Sequence, residues 1–416
     1  MTHIDLEEHR LDNGLRVVLA PDDAVPIVGV ALYYDVGSRD EEQGRSGFAH
    51  LFEHMMFQGS ANVGKAQHFG LIQGVGGSTN ATTSEDRTNY YCSLPANQLE
   101  LGLWLEADRM RSLQVTPENF ENQRQTVMEE RRQRVDDAPY GQAMVEFGEA
   151  SWGKWAYGHP VIGYWEDLEA CTYDEVVAFH RAFYRPNNAT LVVAGDMDVQ
   201  ATLETIKAWY GDIEPGERPA YKDVQEPRRG APVHLQTSDK LARLPALFVN
   251  HQCPGFGHPD FYAFEVIETA LVRGPSSRAH RRLVVEEQLA VQISGGYDAK
   301  RGPGLFRLAA VTGAEGQLEP IRRAWQEELT RFAEEPMGEE EFVKVSGRLR
   351  SASVYGLEGV LGRALQLGRA ALFCGDPDWE NRYLDAIAQV RPQDLQRVAR
   401  RWLDEQTQVS MEVRPA

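Results

Sequence analysis

Two histidines and a glutamate stand close together in an apolar stretch. Residues 47–57 read GFAHLFEHMMF, in which His50 and His54 are four residues apart and Glu53 directly precedes the second histidine. On an α-helix, side chains four residues apart share one face, so both imidazoles can reach a single ion. Hydrolytic zinc sites combine three protein ligands with a water, whose proton a neighbouring carboxylate can accept. The pattern H-x-x-E-H therefore predicts zinc ligands at His50 and His54 and a general base at Glu53.

A third ligand is expected on a separate helix. Thr116 and the proline after it are typical of a helix start. At about 100° per residue, Phe120, Val127 and Glu130 fall on one side of that helix, and Glu129 points almost opposite. We therefore predict Glu130 as the third ligand and Glu129 as a solvated charge.

Gln123 lies two turns before Glu130 on the same side of this helix. It is a candidate for a hydrogen bond that orients a ligand. The alternative to a metal site is a pair of core or surface histidines on an apolar helix.

The segments around these residues alternate between strand and helix patterns. Residues 11–20 contain an Asn-Gly turn followed by a valine-rich run, and residues 27–37 form a second strand pattern. Residues 76–95 return to a strand pattern that ends at a proline. The candidate metal ligands are therefore expected on helices that lie next to strands.

Two stretches in the first half of the chain recur in the second half. Residues 172–193 resemble residues 391–413, and residues 26–34 resemble residues 243–251, both with an offset of about 218 residues. The common offset predicts an α+β fold made of two related halves, each with a mostly antiparallel sheet and helices packed on it. Two unrelated domains with similar local patterns are the alternative.

The two halves are separated by a polar, proline-rich segment. Residues 216–240 lack hydrophobic periodicity, and we predict a linker there. This gives a zinc-bearing domain at 1–215 and a related domain at 241–416 without the metal motif.

The charge balance is acidic. The 416 residues include 62 acidic and 43 basic side chains, with a net charge of −19. Such a surface repels phosphate backbones, so nucleic acid is not an expected partner.

The chain has features of a soluble protein. No stretch approaches the roughly 18 apolar residues of a membrane span, and the N-terminus shows no secretory signal. We expect no membrane association and a cytoplasmic location, or a periplasmic one if a signal has been removed. The four cysteines are far apart and are expected to be free thiols.

Five stretches are distinctive: VGSRDEEQGRSGFAHLFEHMMFQGS, GGSTNATTSEDRTNYYCSLP, TVMEERRQRVDDAP, YGHPVIGYWEDLEA and FHRAFYRPNNATLVVAGDMD. Together they resemble the pitrilysin family of zinc metallopeptidases, in the branch of the mitochondrial processing peptidase and its bacterial relatives. The resemblance implies one zinc ion per chain, held by His50, His54 and Glu130, with Glu53 as general base. Family members carry an acidic residue where this chain has Gln123, and a glutamine side chain cannot supply that negative charge.

The resemblance also implies a peptide-binding edge. The Asn80–Ala81 step is similar to the family's edge strand, which pairs with the substrate backbone. The alternative for Asn80 is a turn asparagine.

The second half departs from active relatives, which carry an arginine and, seven residues on, a tyrosine that face the substrate. Val284 and Val291 occupy those two positions here. We therefore predict a heterodimer in which a related subunit supplies the arginine and tyrosine.

The function that follows is a zinc-dependent endopeptidase subunit for unfolded peptides or peptide segments, which lie in a cavity between two clam-like halves. Two alternatives remain: a non-catalytic scaffold similar to core subunits of respiratory complexes, and a self-sufficient homodimeric peptidase.

Overall fold

The protein is described by a computed structural model that covers residues 3–217, 219–220, 222–226 and 228–416. These residues contain 11 strands and 16 α-helices. The strands are β1 Glu7–Arg10, β2 Arg16–Pro21, β3 Ile27–Tyr34, β4 Ser78–Thr83, β5 Thr88–Pro95, β6 Ala189–Gly195, β7 Val233–Asp239, β8 Ala246–Cys253, β9 Gln292–Asp298, β10 Gly304–Val311 and β11 Gln408–Pro415.

The helices vary from 3 to 20 residues in length. They are α1 Phe48–Met55, α2 Gln67–Gly74, α3 Leu99–Ser112, α4 Pro117–Arg131, α5 Gly141–Ser151, α6 Trp155–Gly158, α7 Trp165–Ala170, α8 Tyr173–Phe183, α9 Val199–Tyr210, α10 Phe261–Leu271, α11 Arg278–His280, α12 Leu318–Glu334, α13 Glu339–Glu358, α14 Val360–Phe373, α15 Trp379–Gln389 and α16 Pro392–Trp402. None of the described helices has the length and the apolar run that crossing a bilayer requires.

The chain divides into two compact units that are not continuous in sequence. The first unit comprises Met1–Glu130, His159–Asp223 and Val354–Asn381. The second unit comprises Arg131–Gly158, Val224–Ser353 and Arg382–Ala416. Each unit contains one sheet with helices on both faces.

The sheet of the first unit has six strands in the order β1-β2-β6-β3-β5-β4. Its pairings are antiparallel except for β2 with β6, which are parallel. Strand β4 lies at the edge and pairs only with β5 among the described residues. One face packs against α1, α3, α8 and α9, and the other face packs against α14.

The sheet of the second unit has the order β7-β11-β8-β10-β9. Only β7 with β11 is parallel, which repeats the pairing of β2 with β6. Helices α10, α12 and α16 cover one face, and α5 covers the other. Five strands of the first sheet therefore recur in the same chain order and the same spatial order.

The predicted α+β fold with two related, mostly antiparallel halves is confirmed. Strands β3 and β8 hold matching places in the two sheets, as do β6 and β11, and these are the strands of the two repeated stretches. Their offset in sequence explains why the similarity was visible at a constant spacing.

The structure differs from the predicted domain boundaries in two respects. Strand β7 lies within residues 216–240, which were predicted to be a linker. In addition, residues 131–158 belong to the second compact unit and residues 354–381 belong to the first, so the units are not the consecutive ranges 1–215 and 241–416. The exchange arises because α5 packs on β7 and β11, whereas α14 packs on β3 and β6.

Candidate metal centre

Helix α1 presents an apolar face to the core and a polar face away from it. Phe48, Leu51, Phe52 and Met55 are buried in the core of the first unit. His50 and His54 lie on the opposite side with their ring centroids 4.9 Å apart. The two faces follow directly from the helical spacing, because three and four residues bring a side chain back to the same side.

Helix α4 carries the third group. Thr116 caps its start by accepting a hydrogen bond from the Asn119 backbone N–H at 3.1 Å, as the sequence predicted. The buried Asn119 side chain donates to the carbonyl of Gln58 at 3.3 Å, which ties α4 to the chain just beyond α1. Phe120 and Val127 are buried, Glu129 is exposed, and Glu130 is half-buried, so the predicted orientation of the helix is correct.

The two helices bring three ligand-type side chains together. The His50 Nε2 lies 3.6 Å from Glu130 Oε1, and the His54 Nε2 lies 3.2 Å from Glu130 Oε2. One ligand atom from each of the three residues lies within 4.8 Å of the others. Within the described part of the chain, no other group of three His, Cys, Asp or Glu side chains meets this condition.

These distances fit a zinc ion. Tetrahedral zinc with bonds of 2.0–2.1 Å separates its ligand atoms by about 3.3 Å, which is close to the two separations here. Two imidazoles and one carboxylate are a donor set found in hydrolytic zinc sites, and they leave one position for water. His50, His54 and Glu130 could therefore hold zinc with little rearrangement.

Glu53 lies one residue before His54 and is half-buried. Among the described residues, its carboxylate has no hydrogen bond or ion pair, so it is available to a water or a substrate amide. This environment suits a general base, because the acceptor oxygens are not engaged elsewhere.

Gln123 is buried two turns before Glu130 on α4. Its amide donates to the Asn122 Oδ1 at 2.9 Å. Its predicted role as a hydrogen-bond partner of a ligand stays a prediction.

Asn80 and Ala81 lie in the edge strand β4, so Asn80 is not a turn residue. The Asn80 side chain is exposed and accepts a hydrogen bond from the Ala81 N–H at 2.9 Å, whereas Ala81 is buried. Helix α1, which carries His50 and His54, packs against β4 and β5 and therefore lies beside this edge of the sheet.

In the second unit, Val284 is partly buried against the core and Val291 is exposed. Neither position supplies a charge or a hydrogen-bond donor from its side chain.

The sequence patterns did not indicate two buried residues near the start of α1, Glu41 and His159. Glu41 accepts hydrogen bonds from the backbone N–H groups of Gly47 and Ala49, and His159 contacts the same carboxylate. Both residues stand in stretches that carry the family resemblance, which was the available signal.

Family models match most of the chain in two parts. Residues 16–152 match the model described as Insulinase (Peptidase family M16), and residues 170–348 match the Peptidase M16 inactive domain. The chain belongs to peptidase family M16. Helix α1 and Glu130 lie within residues 16–152, and Val284 and Val291 lie within residues 170–348.

Curated relatives of this chain are named zinc proteases. Zinc protease PqqE of Helicobacter pylori is 31% identical over 290 residues, which are 69% of this chain and 65% of that relative's length. An uncharacterized zinc protease of Mycobacterium bovis is 28% identical over 394 residues, covering 94% of this chain and 90% of that protein.

Solved structures of other proteins share the fold of this chain. A protease from Helicobacter pylori superposes with a TM-score of 0.94 at 26% identity, covering 99% of this chain and 100% of the other. The similarity also extends to a chain of Complex III2 from Candida albicans, with a TM-score of 0.82 at 14% identity and coverage of 98% and 96%, which shows a common fold only.

Proposed function

We propose that this M16 chain is a zinc-dependent endopeptidase subunit that cleaves unfolded peptides. The observation that carries the proposal is the convergence of His50, His54 and Glu130, with Glu53 on the same helix as the two histidines. Relatives named zinc proteases support it.

The residues of this chain have separate tasks in the proposed reaction. His50, His54 and Glu130 would hold the zinc ion, which when bound polarises a carbonyl and makes a water more acidic. The Glu53 carboxylate accepts a proton from the attacking water and delivers it to the leaving amine. A glutamate without other hydrogen bonds can perform both transfers by a small rotation of its side chain.

The edge strand β4 would bind the peptide. Its outer side has no strand neighbour among the described residues, so an extended peptide can add to it through main-chain hydrogen bonds. Such binding recognises the backbone of the peptide and not its side chains, which suits unfolded substrates of varied sequence. In this proposal Asn80 and Ala81 are the substrate-binding residues.

A related subunit would complete the site, as in processing peptidases. Val284 and Val291 offer no charge to a substrate, whereas active family members have an arginine and a tyrosine there. The working enzyme in this proposal is a heterodimer with a chain that carries this pair. A homodimer that uses other side chains is the alternative.

The test is peptide cleavage by the purified chain, alone and with a related chain that carries the arginine–tyrosine pair. We expect zinc-dependent cleavage that rises strongly when the second chain is added. Full activity of the chain alone would contradict the heterodimer, and no cleavage under either condition, with zinc bound, would favour a non-catalytic scaffold.

A further inference from the structure

Helix α1 is short and depends on its surroundings for its position. It has eight residues, and its N-cap residue, Gly47, makes no side-chain cap. Isolated helices shorter than about 12 residues are marginal in water, and the first N–H groups of a helix need acceptors from outside it. The groups that accept these hydrogen bonds therefore also fix the positions of His50, Glu53 and His54.

A buried carboxylate supplies them. The Glu41 Oε2 accepts the Gly47 N–H at 2.9 Å, and the Glu41 Oε1 accepts the Ala49 N–H at 2.8 Å. Ala49 directly precedes His50, so one side chain holds the backbone at the N-cap residue and at the second residue of α1. A negative charge at this end also interacts favourably with the helix dipole.

The imidazole of His159 supports this carboxylate from behind. Its Nε2 lies 2.9 Å from Glu41 Oε2, and both side chains have 0% exposure. Burial raises the pKa of Glu41, whereas the contact with His159 and the two backbone N–H groups lower it. The pair is therefore an enclosed unit in which each contact helps to keep the acceptor in place.

The chain that follows His159 packs against the same helix start. The Asp167 carboxylate accepts hydrogen bonds from both the backbone N–H and the hydroxyl of Ser46, and the Ser46 hydroxyl accepts the Tyr164 N–H at 2.8 Å. Gly47 has a φ of 91°, and a Cβ there would lie 2.9 Å from the Ile162 carbonyl oxygen. These contacts hold the two residues that precede α1.

We propose that Glu41 and His159 are positioning residues that set the zinc affinity of the His50–His54–Glu130 centre. The inference rests on the proposed function, because it concerns the same metal helix. Neither residue belongs to the ligand group. They act by holding the N-terminus of α1, so that His50 and His54 are already close to Glu130 on α4 before the metal binds.

The experiment measures zinc affinity by chelator competition and the visible spectrum of the cobalt-substituted protein, together with thermal stability. His159→Phe keeps a ring but removes the contact with Glu41, and we expect zinc affinity to fall on the order of 10-fold with an altered cobalt spectrum. His159→Gln retains an amide donor and should recover most of the affinity.

A matched control separates positioning from general destabilisation. Asp260 in the second unit is buried like Glu41, with 2% of the whole residue exposed in each case, and also accepts side-chain hydrogen bonds. We expect Asp260→Asn to lower the melting temperature without changing zinc affinity. Equal losses of affinity in Asp260→Asn and His159→Phe would overturn the proposal, as would a folded His159→Phe variant with unchanged affinity and spectrum.

A milder variant covers the case in which His159→Phe does not fold. Ser46→Ala removes the hydroxyl contacts with Asp167 and Tyr164 and should weaken zinc binding by a smaller factor, whereas unchanged affinity would count against the proposal. Peptide cleavage is measured in parallel. Zinc-loaded wild-type protein that cleaves nothing contradicts the endopeptidase alone, and wild-type protein that binds no zinc contradicts both proposals.

Discussion

The Glu130 Oε2 lies 3.2 Å from the His54 Nε2, so a carboxylate on α4 completes a group that two histidines on α1 begin. The two helices are tied together by Asn119, which reaches the Gln58 carbonyl. Removal of individual groups around this contact should therefore separate metal binding from catalysis.

Glu53 is the first group to test, because its proposed role is proton transfer and not metal binding. Glu53→Gln should retain zinc, since the three ligands are unchanged, and should lower kcat by about 10²–10⁴-fold. Metal content and peptide cleavage are measured on the same sample. The control is Glu129→Gln, the same change at an exposed position of α4, which should leave both quantities unchanged. Substantial cleavage by Glu53→Gln would exclude Glu53 as the base.

Edge-strand binding predicts a dependence on the peptide backbone. In an extended peptide paired to β4, alternate N–H groups point toward the strand and the others point to solvent. Methylation of a peptide nitrogen that faces β4 should raise KM by at least about 10-fold, because it removes one main-chain hydrogen bond and adds a steric clash. Methylation of the next nitrogen is the internal control. Equal KM values for the two series would argue against strand addition.

Close packing of α14 on the first sheet predicts the stability effect of a single methyl group. A Cβ at Gly29 would lie 2.8 Å from the Leu361 Cα, so Gly29→Ala should cost about 1–3 kcal/mol in the free energy of unfolding. Gly347 lies within α13 with open space around its Cβ position, and Gly347→Ala should gain about 0.5–1 kcal/mol. Urea denaturation gives both values. A neutral Gly29→Ala would mean that α14 does not approach β3 so closely.

The buried His68 predicts acid sensitivity. Burial, with a smaller contribution from the charge of Arg109, lowers the pKa of His68 to about 2, whereas an unfolded chain protonates histidine near 6.5. The unfolded state therefore binds more protons, and stability falls as the pH drops below 6.5. At pH 5 the loss from this side chain is about 2 kcal/mol.

The measurement compares the free energy of unfolding at pH 7 and pH 5 in the wild type and in His68→Leu. The variant should lose less stability on acidification, by the amount attributed to His68. An identical pH dependence in both proteins would show that His68 is protonated in the folded state.

Local patterns were sufficient to predict that the side chains of His50, His54 and Glu130 lie close together. The spacing of His50 and His54 fixes their common helix face, and the burial of Phe120 and Val127 turns Glu130 inward. Both inferences depend only on the geometry of a helix and on which side of it is apolar. The fold class followed in the same way, because the repeated stretches became β3, β6, β8 and β11.

Contacts between distant segments could not be predicted from local patterns. Glu41 and His159 are 118 residues apart, and neither has a neighbour that indicates the pairing. Strand β7 was missed because prolines and charges surround it, although its exposure alternates along the strand. The exchange of α5 and α14 between the compact units is likewise a property of tertiary packing.

The most direct test of the metal centre is the zinc content of the purified chain after dialysis, measured by elemental analysis. We predict one zinc ion per chain in the wild type and in Glu129→Gln, and loss of that ion in His54→Ala and Glu130→Gln. Retention of zinc by Glu130→Gln, or its absence from wild-type protein equilibrated with excess zinc, would contradict the proposed centre.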